Sequence, residues 1–288
     1  MQATKYESLI KIIELGSFSG AAEELGYTPS GLNRMMSALE EDLGIQILNR
    51  TKKGISLTDA GKEVLPIIQN IIYLEKSLNE KCDEIKGLIK GNIKIGTIYS
   101  IASIWIPELV GNFKKLYPGI TISVLQGSHQ DLNEWFEEGK VDLIFTTKRE
   151  DLDHWMTLKK DPVMVWLPEN HNKADYSHFP IKDLENEIYI MNMPGADSDA
   201  EYLTNAENLN LNVQYTSLDN YTTYRMVEAG LGISMNNSLM SQNWNGKVVT
   251  IPLYPETFVE LGIRYRENGS PSVKRLIETI KKWKDYIL

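Results

Sequence analysis

The stretch SFSGAAEELGYTPSGLNRMMSALEEDLG, residues 17–44, decides how the first part of this 288-residue chain folds. It predicts a short helix over residues 20–25, for which Ser19 is the candidate N-cap. After a tight turn, Thr28 is placed to cap a further helix. Pro29 follows at the first helical position, where its missing N–H costs nothing. Two helices joined in this way predict a helix-turn-helix unit.

The helix that opens at Pro29 has an apolar face and a polar face. The apolar side chains recur at helical spacing and are expected to point inward: Leu32, Met35, Met36 and Leu39. The polar side chains fall on the opposite face: Ser30, Asn33, Arg34 and Ser37. Upstream, another amphipathic helix is predicted by Tyr6, Leu9, Ile10 and Ile13.

Two short β-like runs follow, at residues 45–48 and 55–57, and predict a hairpin. Its tip carries Arg50, Lys52 and Lys53, and three cations there form a wing suited to a phosphate backbone. Bulk charge gives this expectation no support, because the chain carries a net charge of −9. Any nucleic-acid binding must therefore depend on where individual cations lie.

A long helix is predicted from Thr58, and its apolar residues recur at steps of three and four: Val64, Ile67, Ile71, Leu74, Leu78, Cys82 and Ile85. Such a seam predicts pairing with another helix, as in a dimer. The alternative is a lone helix packed on the rest of its own chain. Cys82 on the seam is either a crosslinking position or simply a small apolar residue. Gly87 and Gly91 place a linker at the end of the helix.

From Asn92 onward strands and helices alternate. Strands are predicted at 93–98, 120–125 and 141–145, with helices at 100–116 and 130–138 between them, which is a βαβαβ parallel sheet. Further strands are predicted at 163–167, 188–191, 213–217 and 232–235, and a helix at 220–229.

Features of catalysis, secretion and membrane insertion are weak in this sequence. The four histidines show no metal-ligand spacing, and no nucleophile elbow, Walker loop or dinucleotide fingerprint occurs. We therefore expect neither enzymatic activity, nor a cofactor, nor a metal site. One cysteine, no signal-peptide pattern and no apolar run long enough to span a bilayer predict a cytoplasmic protein without a membrane partner.

The sequence resembles the LysR-type transcriptional regulators along essentially its whole length. The resemblance is densest in the string from Glu14 to Ala22, in Leu25, Leu39-Glu40, Leu43-Gly44 and Arg50, and in Leu57-Thr58-Asp59-Ala60-Gly61. Looser matches occur downstream, in residues 91–96, 117–118, 139–143 and 228–233.

The fold class implied by the resemblance is an N-terminal winged helix-turn-helix with a long linker helix, followed by a C-terminal α/β effector-binding domain. That domain would comprise two Rossmann-like lobes, as in periplasmic binding proteins. The expected boundaries are 1–58 for the DNA-binding domain, 59–90 for the linker and dimerisation helix, and 91–288 for the effector-binding domain. Its lobe I would take residues 91–161 and 266–288, and its lobe II residues 162–265.

The expected partners are double-stranded promoter or operator DNA, a small-molecule effector, a second or further copy in a homodimer or homotetramer, and the transcription machinery. The residues implied to contact DNA are Thr28, Pro29, Ser30, Asn33, Arg34, Arg50, Lys52 and Lys53. Pro29 and Asn33 stand where the family commonly has glutamine and serine, so the base preference cannot be carried over.

Effector-binding residues are expected beyond the carboxyl ends of the strands, at helix N-termini, where an anion or a polar group is favoured. This rule selects Tyr99, Ser100, Ile101, Ser128, His129, Thr146, Thr147, Met193 within the stretch 191–194, Asp219 and Tyr224. Ser100 and Ser128 are the leading candidates, although a hydroxyl there equally serves as a helix cap. The aromatic and methionine side chains line the site or belong to the core. The alternative function is a cytoplasmic solute-binding or sensor module that does not bind DNA.

Overall fold

The structure is a computed structural model that describes residues 2–51, 54–195 and 198–287. These residues form two compact units. The first unit runs to Lys90 and also takes in Glu137–Lys140, and the second unit contains the remainder.

The first unit consists of four helices and a hairpin: α1 (Gln2–Leu15), α2 (Phe18–Leu25), α3 (Pro29–Leu43), β1 (Leu48–Thr51), β2 (Gly54–Leu57) and α4 (Asp59–Ile85). Its core is formed by side chains from α1, α2, α3 and the start of the hairpin, with Ile68 of α4 packed against them. The two strands pair antiparallel, from Leu48 opposite Leu57 to Thr51 opposite Gly54. This order of elements is the predicted winged helix-turn-helix followed by a long helix.

Helix α3 begins as the sequence predicts. The side chain of Thr28 accepts a hydrogen bond from the Gly31 N–H at 3.1 Å, and Pro29 is the first helical residue. The predicted inward face is buried at Leu32, Met36 and Leu39, which are each at most 1% exposed. Burying this face leaves the polar side of α3 in solvent.

Two boundaries in the first unit differ from the prediction. Helix α2 begins at Phe18 rather than Gly20, because the side chain of Ser17, not Ser19, accepts the Gly20 N–H. Strand β1 begins at Leu48 rather than residue 45. The Ile47 and Leu48 N–H groups instead bond to the Glu40 carboxylate on α3.

The second unit begins with the predicted βαβαβ arrangement: β3 (Gly91–Thr97), α5 (Tyr99–Leu116), β4 (Ile120–Gln126), α6 (His129–Glu137) and β5 (Leu143–Thr147). Strand β3 pairs in parallel with both β4 and β5. The rest of the unit contains β6 (Trp155–Pro168), β7 (Phe179–Pro180), β8 (Ile188–Asn192), α7 (Asp199–Ala206), β9 (Asn212–Ser217), α8 (Asn220–Glu228), β10 (Ser234–Asn237), β11 (Val248–Tyr254), β12 (Phe258–Tyr265) and α9 (Pro271–Ile287). Strands β11 and β12 and helix α9 are absent from the sequence prediction.

Strand β6 runs through both lobes of the second unit. Its first part pairs antiparallel with β12, and residues 163–168 pair with β10 and β11. Residues 261–265 of β12 pair in turn with β5 of the first lobe. These β12 residues therefore belong to the first-lobe sheet, although the predicted division at residues 265 and 266 assigns them to the second lobe.

The second lobe also contains the parallel pair β8–β9 and a small aromatic cluster. Within this cluster the Trp244 ring lies 5.7 Å from Trp166, 5.2 Å from Tyr224 and 6.2 Å from Tyr99, measured between ring centroids. Tyr99 is the first residue of α5, so the cluster joins the second lobe to the start of that helix.

Candidate functional site

The exposed side of α3 gathers five of the residues predicted to contact DNA: Thr28, Pro29, Ser30, Asn33 and Arg34. The Thr28 hydroxyl already accepts the Gly31 N–H, which makes it a structural cap. Within the described part of the chain, the Arg34 guanidinium has no ion-pair partner. Asn33 and Arg34 are one turn inside the helix and point away from its buried face, as an α-helix inserted in a major groove requires.

Arg50, the first of the predicted wing cations, is held by α3. Its Nη2 donates to the Glu40 carboxylate at 2.7 Å and lies 3.4 Å from the Ser37 hydroxyl. The other oxygen of Glu40 accepts the N–H groups of Ile47 and Leu48, at 2.8 and 2.9 Å. One carboxylate thus fixes both the start of the wing and the direction of Arg50. Lys52 and Lys53 lie outside the described residues.

Helix α4 presents an exposed apolar stripe, which consists of Ile67, Ile71, Leu74, Leu78 and Ile85 and is 40–77% exposed at these positions. Cys82 lies in the same stripe and is also exposed. Val64, which was predicted to start the seam, instead packs on the core of its own unit. Five large apolar side chains in solvent along one helix are unusual for an isolated chain and favour a partner helix.

A cavity of about 530 Å³ lies in the second unit, between the carboxyl ends of first-lobe strands and elements of the second lobe. The first lobe contributes residues 98–100 at the start of α5 and residues 126–131 around the start of α6. The second lobe contributes Asn192, Met193, Gly195, Ser198–Ala200, Asn220, Asn236, Asn237 and Met240. Its volume is typical of small-molecule sites, which range from about 300 to 1,000 Å³.

Five of the predicted effector residues line this cavity: Tyr99, Ser100, Ser128, His129 and Met193. Thr146 and Thr147 lie directly behind it, at the end of β5. The Thr146 hydroxyl is 2.7 Å from His129 Nδ1, and the Thr147 hydroxyl is 3.2 Å from His129 Nε2. These two threonines therefore position the histidine and do not form part of the lining.

Three other predicted residues lie elsewhere. Ile101 is fully buried in the main core of the unit and does not line the cavity. Asp219 caps α8 through a 2.6 Å bond from the Thr222 N–H. Tyr224 packs between Trp166 and Trp244. Helix geometry accounts for these differences, since neighbouring positions of one helix turn point in different directions.

Ser100 and Ser128 occupy different chemical environments. No side chain in the described ranges caps α5, and the fully buried Ser100 Oγ has no hydrogen-bond partner among those residues. By contrast, the Ser128 hydroxyl donates to the Asp131 carboxylate at 2.6 Å and accepts the Asp131 N–H at 3.1 Å. Ser128 is thus occupied as a cap, whereas Ser100 retains its hydrogen-bonding capacity for a ligand.

Asp199, which the sequence reading missed, connects the lobes across the cavity. Its Oδ1 accepts the Thr147 hydroxyl at 2.8 Å and the Arg149 Nη2 at 3.0 Å, and lies 3.5 Å from His129 Nε2. Burial by itself would raise the pKa of Asp199. The contacts with His129, Arg149 and Thr147 outweigh burial and hold the pKa below its ordinary value. The ionised carboxylate is the form that joins the lobes.

The lining also contains four asparagines: Asn192, Asn220, Asn236 and Asn237. Asn192 lies in the predicted stretch 191–194 at the end of β8, whereas the other three are absent from the prediction. Asn237 ends β10, so the same rule of strand carboxyl ends could have found it. Asn220 is adjacent to the Asp219 cap. Carboxamides have no distinctive spacing in a sequence, so no motif points to them.

Among the described residues, no group of three or more His, Cys, Asp or Glu side chains could hold a metal ion. Of the helices that the structure describes, none is long and apolar enough to cross a membrane.

Known protein families match the sequences of both units. Residues 4–62 match the family described as bacterial regulatory helix-turn-helix protein, lysR family, and residues 86–285 match the LysR substrate binding domain. The CmpR transcriptional activator of Synechocystis is 30% identical over 86% of this chain and 83% of its own length. An uncharacterised regulator of Bacillus subtilis, YvbU, is 28% identical over 98% of both chains.

Solved structures show the same fold over the whole chain. A full-length OxyR variant from Pseudomonas aeruginosa has a TM-score of 0.77 at 21% identity and covers 98% of this chain and 95% of that one. Full-length CbnR, described as complexed with its target DNA, has a TM-score of 0.66 at 17% identity, over 98% of this chain and 99% of that one.

The fold and the two sites define a helix-turn-helix protein joined to a two-lobed substrate-binding domain. The chain belongs to the LysR family and is a LysR-type, DNA-binding transcriptional regulator with an effector-binding domain. Its relatives are regulators, not enzymes. The match of residues 4–62 to the family's DNA-binding part disfavours the alternative of a sensor module without DNA binding.

Proposed function

We propose that this regulator reads promoter DNA with the exposed face of α3, in a dimer paired through α4, and that a small molecule in the second-unit cavity alters this binding. The observation that carries the proposal is the placement of Asn33 and Arg34, exposed on α3 and opposite its buried face. An asparagine can pair with adenine, and an arginine with guanine or phosphate. We also propose that it works in the cytoplasm, where it meets promoter DNA and the transcription machinery.

Dimerisation supplies what bulk charge does not. The first 65 residues hold seven Lys and Arg against nine Asp and Glu, so one copy has little general attraction for DNA. The apolar stripe of α4 is exposed in a single copy and would be buried against a second copy of the chain. Two copies present two α3 helices to two half-sites and double the number of well-placed cations.

The cavity is the proposed effector site because it combines volume, position and an unused polar group. It lies where ligands of such α/β lobes bind, and the Ser100 hydroxyl is available at the uncapped start of α5. The Asp199 contacts with Thr147 and Arg149 cross from one lobe to the other. A ligand that strengthens or replaces these contacts changes how the lobes close, and this is the differential interaction that coupling to DNA affinity requires.

The DNA contact is tested by fluorescence anisotropy of the full chain on its own upstream DNA at several salt concentrations. Arg34→Ala is expected to weaken binding and to reduce the slope of log K against log salt by about one if Arg34 contacts a phosphate. If Arg34 reads a base, the variant instead loses about 1–3 kcal/mol of discrimination at one position.

The matched control is Lys281→Ala, which removes one cation from the exposed side of α9 in the second unit. It is expected to bind DNA like the unmodified chain. Equal binding by Arg34→Ala and the unmodified chain at all salt concentrations would refute the proposed role of α3. A chain that binds no DNA at all would instead be the sensor module.

A further inference from the structure

We propose that the effector is an uncharged, polyhydroxylated small molecule, a polyol or a sugar, and not an organic acid. This inference rests on the proposed function of the cavity. It names the chemical class that the cavity selects.

The lining offers an acid neither a lysine nor an arginine as a counter-charge. Among the described residues of the lining, the charged or titratable side chains are Tyr99, His129, Asp131 and Asp199, and the His129 ring lies 3.5 Å from the Asp199 carboxylate. The nearby Arg149 donates to the Asp199 carboxylate and stacks on Tyr202, with 4.3 Å between the guanidinium carbon and the ring centroid. An anion in the cavity would therefore face two carboxylates of the protein.

The helix N-termini at the cavity do not supply the positive charge that an acid would need. The first turn of α6 carries Asp131, and α7 begins with Asp199, so the positive ends of both helices at the cavity are matched by carboxylates of the chain itself. Helix α8, whose first residue Asn220 lines the cavity, has no acidic residue in its first turn, but its N-cap is Asp219. Helix α5 has neither an acidic residue in its first turn nor a side-chain cap among the described residues. One uncapped N-terminus with the Ser100 hydroxyl can bind an oxygen atom, but a dicarboxylate would leave its second charge unmatched.

The second-lobe wall is built from carboxamides that are at most 7% exposed: Asn192, Asn220, Asn236 and Asn237. The Asn220 carbonyl oxygen accepts from both Asn192 Nδ2 and Asn236 Nδ2. Its own Nδ2 contacts only a thioether, Met193 Sδ at 3.8 Å, among the described residues. Sulfur is a weak acceptor, so the N–H groups of Asn220 are available to a ligand oxygen.

The asparagines of this wall have both hydrogen-bond donors and hydrogen-bond acceptors to offer a ligand. Asn192 and Asn236 each use one N–H on Asn220, which leaves each a second N–H donor. The Asn236 carbonyl oxygen accepts one bond, from the Asn237 N–H, and keeps a lone pair. A hydroxyl group donates and accepts at once and matches such a wall, whereas a carboxylate only accepts. The lining side chains Ile98, Met193 and Met240 offer apolar surface to the carbon skeleton.

The test uses probes that share one six-carbon hydroxylated skeleton and differ in charge: glucitol, gluconate, glucarate and glucamine. Mannitol and galactitol are added as neutral stereoisomers. Each is titrated into the full chain by isothermal calorimetry, with the thermal shift as a second readout. We expect at least one neutral probe to bind about tenfold or more tightly than every charged probe.

Two results would overturn the inference: equal or tighter binding of a charged probe, or no binding of any neutral probe. Anisotropy on promoter DNA is measured with the same samples. If gluconate or glucarate binds as tightly as the best neutral probe or more tightly, and changes DNA affinity, the inference fails while the proposed function stands. If DNA binding is absent, the proposed function itself fails.

Asn220→Asp tests the role of the second-lobe wall, because it replaces the donating amide by a carboxylate of nearly the same shape. We expect this variant to bind the best neutral probe about tenfold more weakly, as a lost buried donor implies. Asn212→Asp makes the same chemical change at an exposed position of β9 and should bind unchanged. Equal affinity of both variants and the unmodified chain would contradict the assignment.

Discussion

Glu40 is the residue on which the geometry of the wing depends, and Glu40→Ala is expected to destabilise the first unit without affecting the second. Its side chain is only 12% exposed, and it accepts three hydrogen bonds, from the N–H groups of Ile47 and Leu48 and from Arg50. Ile47 and Leu48 are fully buried residues. Removing the carboxylate leaves their N–H groups without their present acceptor.

These three hydrogen bonds set the size of the expected loss of stability. A hydrogen bond to a charged group contributes about 1.5–3 kcal/mol. Because the Arg50 side chain is 35% exposed, solvent screening reduces the contribution of its ion pair to about 0.5 kcal/mol. Allowing for water that reaches the vacated position, we expect a loss of about 3 kcal/mol in the free energy of unfolding of the first unit. For a unit of this size that lowers its melting temperature by about 12–24 °C.

Scanning calorimetry of the full chain is the appropriate assay, because it can resolve the transitions of two units. Glu41→Ala serves as the matched control, since Glu41 is the next residue of α3 and is exposed. A shift of less than about 1 kcal/mol in the first-unit transition would refute the argument, as would an equal shift in Glu41→Ala. Arg50→Ala should cost far less stability than Glu40→Ala, because the Arg50 side chain bonds to no backbone group among the described residues.

Three further outcomes are expected. Leu78→Glu places a charge on the exposed stripe of α4 and should convert the dimer to a monomer, as measured by light scattering. Asn79→Glu, outside the stripe, should leave the dimer intact. An unchanged molecular mass of Leu78→Glu would contradict pairing through α4. Asp161→Ala should lower the second-unit transition by about 3 kcal/mol, because the buried carboxylate accepts from Asn237, Ser238 and Leu239; a loss below 1 kcal/mol would contradict this role. Asp199 has a lowered pKa in the folded chain, so its ionised form stabilises above the unfolded pKa of about 3.9, and this contribution disappears as pH falls through the folded value. The difference in melting temperature between the unmodified chain and Asp199→Asn should therefore shrink below about pH 4, and a constant difference would contradict the assignment.

Sequence patterns were sufficient where one local interaction decides the structure. Thr28 and Pro29 set the start of α3, and the spacing of the apolar residues set its buried face. The same patterns failed at the start of β1. Residues 45–48 have the composition of a strand, but the Ile47 and Leu48 N–H groups bond to Glu40, seven and eight residues away. A side chain that replaces a partner strand leaves no periodic signal.

The cavity was predictable mainly on its first-lobe side. Helix starts after strands pointed to Ser100 and His129, which do line it. The second-lobe wall depends on which strands lie side by side, and β6 and β12 join the lobes through antiparallel pairings between residues far apart in sequence. Asp199 reaches Thr147 and Arg149 across about fifty positions. No pattern within a short window contains such a contact.

The aromatic cluster around Trp244 gives the protein a built-in optical probe. All six tryptophans lie between residues 105 and 283, so tryptophan emission arises entirely from the second unit. Trp244 packs against Tyr99, and Tyr99 lines the cavity. A ligand in the cavity would therefore be separated from the Trp244 ring by a single side chain. The first unit itself contains no tryptophan. A change in emission on adding DNA would therefore report a change around the tryptophans of the second unit, without any label.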